Sequence, residues 1–324
     1  MRKNSKTKSP FLFDWTPGNG PSEEALSNLR DLAPRHPDDP PGEAWFMSET
    51  RKTFPQFIQH PVSQIPQEDI DQLLYEITSG LHAFSDATDE VEEWITWFKH
   101  LLPDLIIRGD DYYLEFLIEG VISAFLRVYA AGIDSEYSGF RQDILQTIGQ
   151  AIMKPELWDE IGESVCAQTQ RWIAVGNGSL RMPYCSGAIS ASLFFCLTYL
   201  SSDEIEHWIK SVIAIKSRFF RAHFLCWLAG AHPILTGDAR PFRAVQRAPV
   251  QIDWQNSFLL DTLTPSIPAA NIKALFSVVS ENLSVEMLLN WIEDMSDVRE
   301  LAEPLEWDRI AEYVADKILS PALT

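Results

Sequence analysis

The sequence has no long unbroken apolar run. Its longest stretch without a charged side chain runs from Met182 to Ser202, and Pro183, Ser186, Gly187, Ser190, Ser192 and Thr198 dilute it. The dense part covers only Ala188 to Leu200. A membrane helix takes about 20 predominantly apolar residues, so no membrane span is expected. A shorter helix that is apolar all round is buried on every side, which requires several other helices around it.

Basic residues are scarce as well. Lys and Arg number 26 against 46 Asp and Glu, a formal net charge of −20. Such a chain as a whole repels nucleic acid and anionic lipid, which disfavours both as partners. Cysteine is limited to Cys166, Cys185, Cys196 and Cys226, with no Cys-x-x-Cys pair. In apolar surroundings these read as reduced thiols acting as small hydrophobes, hence a cytoplasmic protein. The start, "MRKNSKTKSPFLFDW", offers only "FLF" as an apolar run, too short for a signal-peptide core, so no secretion is expected. The sequence also lacks a Gly-x-Ser-x-Gly elbow, a P-loop, a dinucleotide fingerprint and His-Glu-x-x-His. No catalytic residue, resident metal or cofactor is therefore assigned.

What is present is the composition of a globular chain: 46% apolar and 22% charged residues, with 11 Trp and 18 Phe to fill a core. Helical periodicity dominates. Ile70, Leu73, Leu74, Ile77, Leu81 and Phe84 fall on one helix face, and Val91, Trp94, Ile95, Phe98, Leu101 and Leu102 on another. Pro103 reads as the opening of a further segment. "YYLEFLIEGVISAFLRVYAAG" is mostly apolar and hence central. Ser201 and Glu204 have the spacing of a capping box. Gly176–Gly178 reads as a turn, and no convincing strand alternation appears. The expected fold class is all-α: about a dozen antiparallel helices, either an α-solenoid-like stack of HEAT or armadillo type or a large helical bundle. No fixed repeat period is legible.

Residues 1–42 read as a flexible Pro-rich tail with one short helix, Ser22 to Ala33. Its aromatic patch "FLFDW" suits either a linear motif for a partner or docking on its own body. Residues 43–324 read as a single helical domain, with a possible subdivision near 236–250.

Three groups of residues carry candidate chemistry. Between His207 and Pro249 there are seven basic residues and one acidic residue, a surplus of six in a strongly acidic protein. Lys216, Arg218, Arg221, Arg240, Arg243 and Arg247 are the candidate binding residues of that segment, since Arg suits planar recognition of carboxylate or phosphate. The alternative is that they pair with acidic faces of neighbouring helices. Asp111, Glu115 and Glu119 recur every four residues and line one helix face. Facing carboxylates can hold a divalent cation, provided a second helix supplies further ligands. His223, Cys226 and His232 are chemically capable, but their spacing matches no compact zinc pattern.

The functional expectation is a non-enzymatic protein–protein interaction module, binding an acidic or anionic protein partner through residues 210–250, with Trp45 or Trp254 as possible anchors. One alternative is an acidic inhibitor of the immunity or antitoxin type. It would use the 14 Asp and Glu between Glu68 and Glu119 to capture a basic toxin or nuclease. The other is a helical enzyme with a carboxylate metal site.

Overall fold

The computed structural model describes residues 12–16, 19–35, 37–43, 50–80, 88–108, 114–133, 136–150, 173–175, 180–182, 184–185, 187–237, 249–252, 254–256, 259, 267–297 and 304–319. Twelve α-helices lie among them: α1 Glu23–Leu32, α2 Gln56–Gln59, α3 Gln67–Tyr75, α4 Thr88–Ile107, α5 Leu114–Val128, α6 Phe140–Thr147, α7 Gly187–Tyr199, α8 Ser202–Ile213, α9 Arg218–Leu235, α10 Ala269–Asn282, α11 Val285–Asp297 and α12 Pro304–Leu319. The chain is all-α in class, with two minor pairings that sequence periodicity did not signal. β1 (Ile173–Val175) and β2 (Leu180–Met182) are antiparallel, with Ala174 opposite Arg181. β3 (Tyr184–Cys185) runs parallel to β4 (Gln251–Ile252). Strands of two or three residues are too short to show an alternation.

The helix ends follow local chemistry. The Ser22 hydroxyl accepts the Ala25 N–H at 3.3 Å and starts α1, with Glu23 and Glu24 at its positive end and Arg30 in its last turn. α8 begins with the full capping box: the Ser201 hydroxyl accepts the Glu204 N–H, and the Glu204 carboxylate accepts the Ser201 N–H at 2.8 Å. Pro103 does not open a helix; it lies inside α4, which runs on to Ile107. Proline removes one backbone hydrogen bond there. Leu101 and Leu102 before it, and Leu105 and Ile106 after it, are all buried, and that packing holds the helix together.

α7 answers the question raised by its uncharged stretch: every residue from Gly187 to Tyr199 is buried. Phe195 meets Phe125 of α5 edge-on at 5.6 Å, and Phe194 meets Trp227 of α9 at 5.3 Å. Asn271 of α10 donates to the carbonyls of Leu197 and Leu200 at 2.9 and 2.7 Å, satisfying acceptors at the end of α7. Among the described residues no helix is long and apolar enough to cross a membrane. A single hydrophobic cluster runs from Phe13 to Val314.

That cluster includes residues expected in a flexible tail. Phe13 and Trp15 are each 1% exposed. The Trp15 N–H donates to Ser211 Oγ at 2.8 Å, and Gln150 donates to the Asp14 carbonyl at 2.9 Å. Trp15 packs edge-on against Phe220 at 5.1 Å and beside Trp208. The described part of the aromatic patch, Leu12 to Trp15, is thus a strap docked on its own body, across the end of α6, α8 and the start of α9.

Candidate functional site

The cationic segment begins where α8 hands over to α9. Buried Ile215 pins the turn to the core. Ser217 then caps α9, accepting the Phe220 N–H at 3.3 Å. Lys216 lies just before the cap and Arg218 is the first helical residue; both are exposed. The first turn of α9 contains no acidic side chain. Cations at a helix N-terminus oppose the macrodipole, which favours negative charge at that end.

Arg221, on the same helix side three residues on, does different work. It is half-buried, its Nε donates to the Ile215 carbonyl at 2.9 Å, and its guanidinium lies 5.2 Å from the Trp291 ring centroid in α11. It closes the α8–α9 turn and clamps α11 to it. Lys210 pairs with Glu206 one turn away on α8. Arg240, Arg243 and Arg247 lie outside the described residues, as does Trp45. The chain re-enters description at Pro249, beside an open cleft of about 840 Å³ whose wall on α12 includes Arg309, Glu312, Tyr313 and Asp316. Of the six candidate binding residues, the structure thus brings Lys216, Arg218 and Arg221 to one corner. Lys216 and Arg218 face outward, whereas Arg221 is committed to packing.

The carboxylate stripe on α5 divides. Asp111 and the side chain of Glu115 lie outside the described residues. Glu119 is buried, and its carboxylate accepts the Gln255 N–H at 2.8 Å. One turn on, Ser123 accepts the Trp254 indole N–H at 3.0 Å and donates to the Glu119 carbonyl at 2.7 Å. The pair fastens the segment after β4 onto α5. Trp254, expected as an exposed anchor, is 3% exposed and stacks on Phe194 at 5.6 Å. Its large apolar face fills the core once its N–H has a partner. Among the described residues no three His, Cys, Asp or Glu side chains converge as a metal site.

His223 and Cys226 of α9 are buried, and burial sets their chemistry. It lowers the His223 imidazole to about 4 and pushes the Cys226 thiol up to about 12. At neutral pH neither an imidazolium nor a thiolate is present there. His232 is also buried, its ring 5.7 Å from that of Phe276.

One Glu-x-x-His spacing does occur, Glu204 and His207 on α8, and it is not a ligand pair. Glu204 is 5% exposed and bound by the Arg141 guanidinium and by Ser201, while His207 is exposed. The Arg141–Glu204 pair itself left no trace in local spacing, because its members lie 63 residues apart. No family model matches the chain, and neither comparison with curated proteins nor comparison with solved structures gives a match.

Proposed function

We propose that this chain is a binding module. Its Arg-rich segment, residues 210–250, docks an acidic segment of a protein partner, with Lys216 and Arg218 the exposed cations among its described residues. The observation that carries this reading is the placement of Lys216 and Arg218 at the positive end of α9, with no acidic residue in its first turn. The acidic half fits the inhibitor reading less well. Of its carboxylates, Glu76 and Glu119 are buried, Glu93 pairs with Arg51, and Asp104 pairs with Arg30. The fully enclosed α7 and its partners from distant parts of the chain favour a globular bundle over a solenoid, in which each repeat touches only its neighbours. The thiols of Cys185, Cys196 and Cys226 are buried among apolar side chains, which fits their reading as small hydrophobes in a cytoplasmic protein.

The test is capture from native lysate at low and high salt, with wild type beside a Lys216→Glu/Arg218→Glu variant whose circular dichroism is unchanged. One specific acidic partner, lost both at high salt and in the variant, is the expected result. A partner kept by the variant but released by salt moves the interface to the acidic half. Retention of nothing under any condition removes the binding-module reading.

A further inference from the structure

The link between the strap and α1 carries reactive backbone chemistry. Asn19 is exposed, and half-buried Gly20 follows it. Asn19 closes a turn, its N–H donating to the Thr16 carbonyl at 3.3 Å. Gly20 takes the left-handed backbone at φ +57°, and no atom lies within 4 Å of the place a Cβ would fill. Neither the Asn19 carboxamide nor the Gly20 N–H forms a hydrogen bond among the described residues. The nitrogen after Asn19 is therefore uncrowded, and no acceptor holds its proton. Among the described asparagines, Asn19 is the one that precedes a glycine. The helical asparagines are locked by contrast. Asn28 lies within α1 and Asn290 within α11, where the next N–H bonds back along the helix. After Asn271 and Asn282, the N–H groups of Ile272 and Leu283 donate to the Pro268 and Val279 carbonyls at 3.2 and 2.8 Å.

We propose that Asn19–Gly20 is a self-modification site, at which the chain converts its own asparagine to isoaspartate. Hydroxide takes the Gly20 amide proton, and the nitrogen anion attacks Asn19 Cγ. The N–Cγ bond forms and the Cγ–Nδ2 bond breaks. The side-chain nitrogen leaves as ammonia, taking a proton from water and returning the hydroxide. Water then adds to one carbonyl of the cyclic imide, and the bond from that carbonyl to the Gly20 nitrogen breaks. Opening at the Asn19 backbone carbonyl leaves the chain running through Cγ, which is isoaspartate. Opening at Cγ gives aspartate. Either product brings a new carboxylate to the link. Isoaspartate also adds one backbone atom between two anchored points: Trp15, whose N–H donates to Ser211 Oγ, and Ser22, whose N–H donates to the Gln146 carbonyl at 2.9 Å.

The test incubates the full chain in warm, mildly alkaline buffer, folded and in urea. Peptide mapping by mass spectrometry follows each asparagine, with aspartate and isoaspartate products separated by chromatography. Mapping also keeps Asn19 apart from Asn177–Gly178, which lies outside the described residues. Asn19 in the folded chain should convert within about tenfold of its rate in urea, because its surroundings need no opening before reaction. Asn28 and Asn271 should stay unconverted in the folded chain. The Asn19 peptide should give both products, at a rate rising about tenfold per pH unit as the amide anion becomes more abundant. Gly20→Ala, checked for folding by circular dichroism, should slow conversion about tenfold or more, since its Cβ crowds the nitrogen. The same comparison in urea keeps the test valid if that variant does not fold. The proposal is overturned by folded-state conversion slowed more than about tenfold relative to urea, by aspartate as the sole product, or by an unchanged rate in Gly20→Ala.

Discussion

His223 has no exposed surface, and burial holds its imidazole at about 4 against an ordinary 6.5. Between those values the unfolded chain binds a proton that the folded chain refuses. Stability from this residue is complete above pH 6.5 and is lost as pH falls toward about 4, by up to about 3 kcal/mol. His223→Leu removes the titration. Its denaturation free energy, measured from pH 7 down to 4.5, should fall less steeply than that of wild type, whatever the offset at pH 7. Parallel curves would refute the assignment. In sequence this residue resembled a possible ligand, because residue type shows chemical capability whereas burial, which removes it, depends on distant packing.

Elements were the most legible scale where their signals are local. Ser22 and the Ser201–Glu204 box mark helix starts through bonds spanning three residues, and both are formed. Pro103 misled because tertiary packing overrode the local penalty. The union of α6 with α8 was illegible. Arg141 donates to both oxygens of Glu204 and to the Tyr199 carbonyl at 2.9 Å, across a long sequence gap. Burial alone would raise the Glu204 carboxyl; hydrogen bonds from Arg141 and Ser201, with the Arg141 charge, outweigh it and hold it below the ordinary range. The pair thus stabilises above the usual carboxylate pKa, and its contribution fades as pH falls through the depressed one. Arg141→Met leaves a buried carboxylate with fewer partners and should cost about 2–4 kcal/mol at pH 7. The double variant Arg141→Met/Glu204→Gln, with the orphaned charge removed, should recover part of that loss in urea titration. An additive double variant would show that the two side chains do not act as a pair.

Across the whole molecule, composition and periodicity were sufficient for an all-α class, because amphipathic helices write their buried face into every third or fourth residue. They did not reveal that the N-terminal aromatic patch belongs to the core. An isolated "FLFDW" among turn residues has no period, and its partners, Trp208, Ser211 and Phe220, come roughly two hundred residues later. The strap joins the start of the chain to α8 and α9, so it should unfold with the body. Trp15→Ala should cost about 3–5 kcal/mol, the range for emptying a buried aromatic site, which is a large part of an ordinary domain's stability. Leu12→Ala, three residues away and 43% exposed, should cost less than about 1 kcal/mol. Urea midpoints of the two variants decide the matter. A large gap makes the strap part of the cooperative fold, whereas equal small losses would mean that it lies on a surface that folds without it.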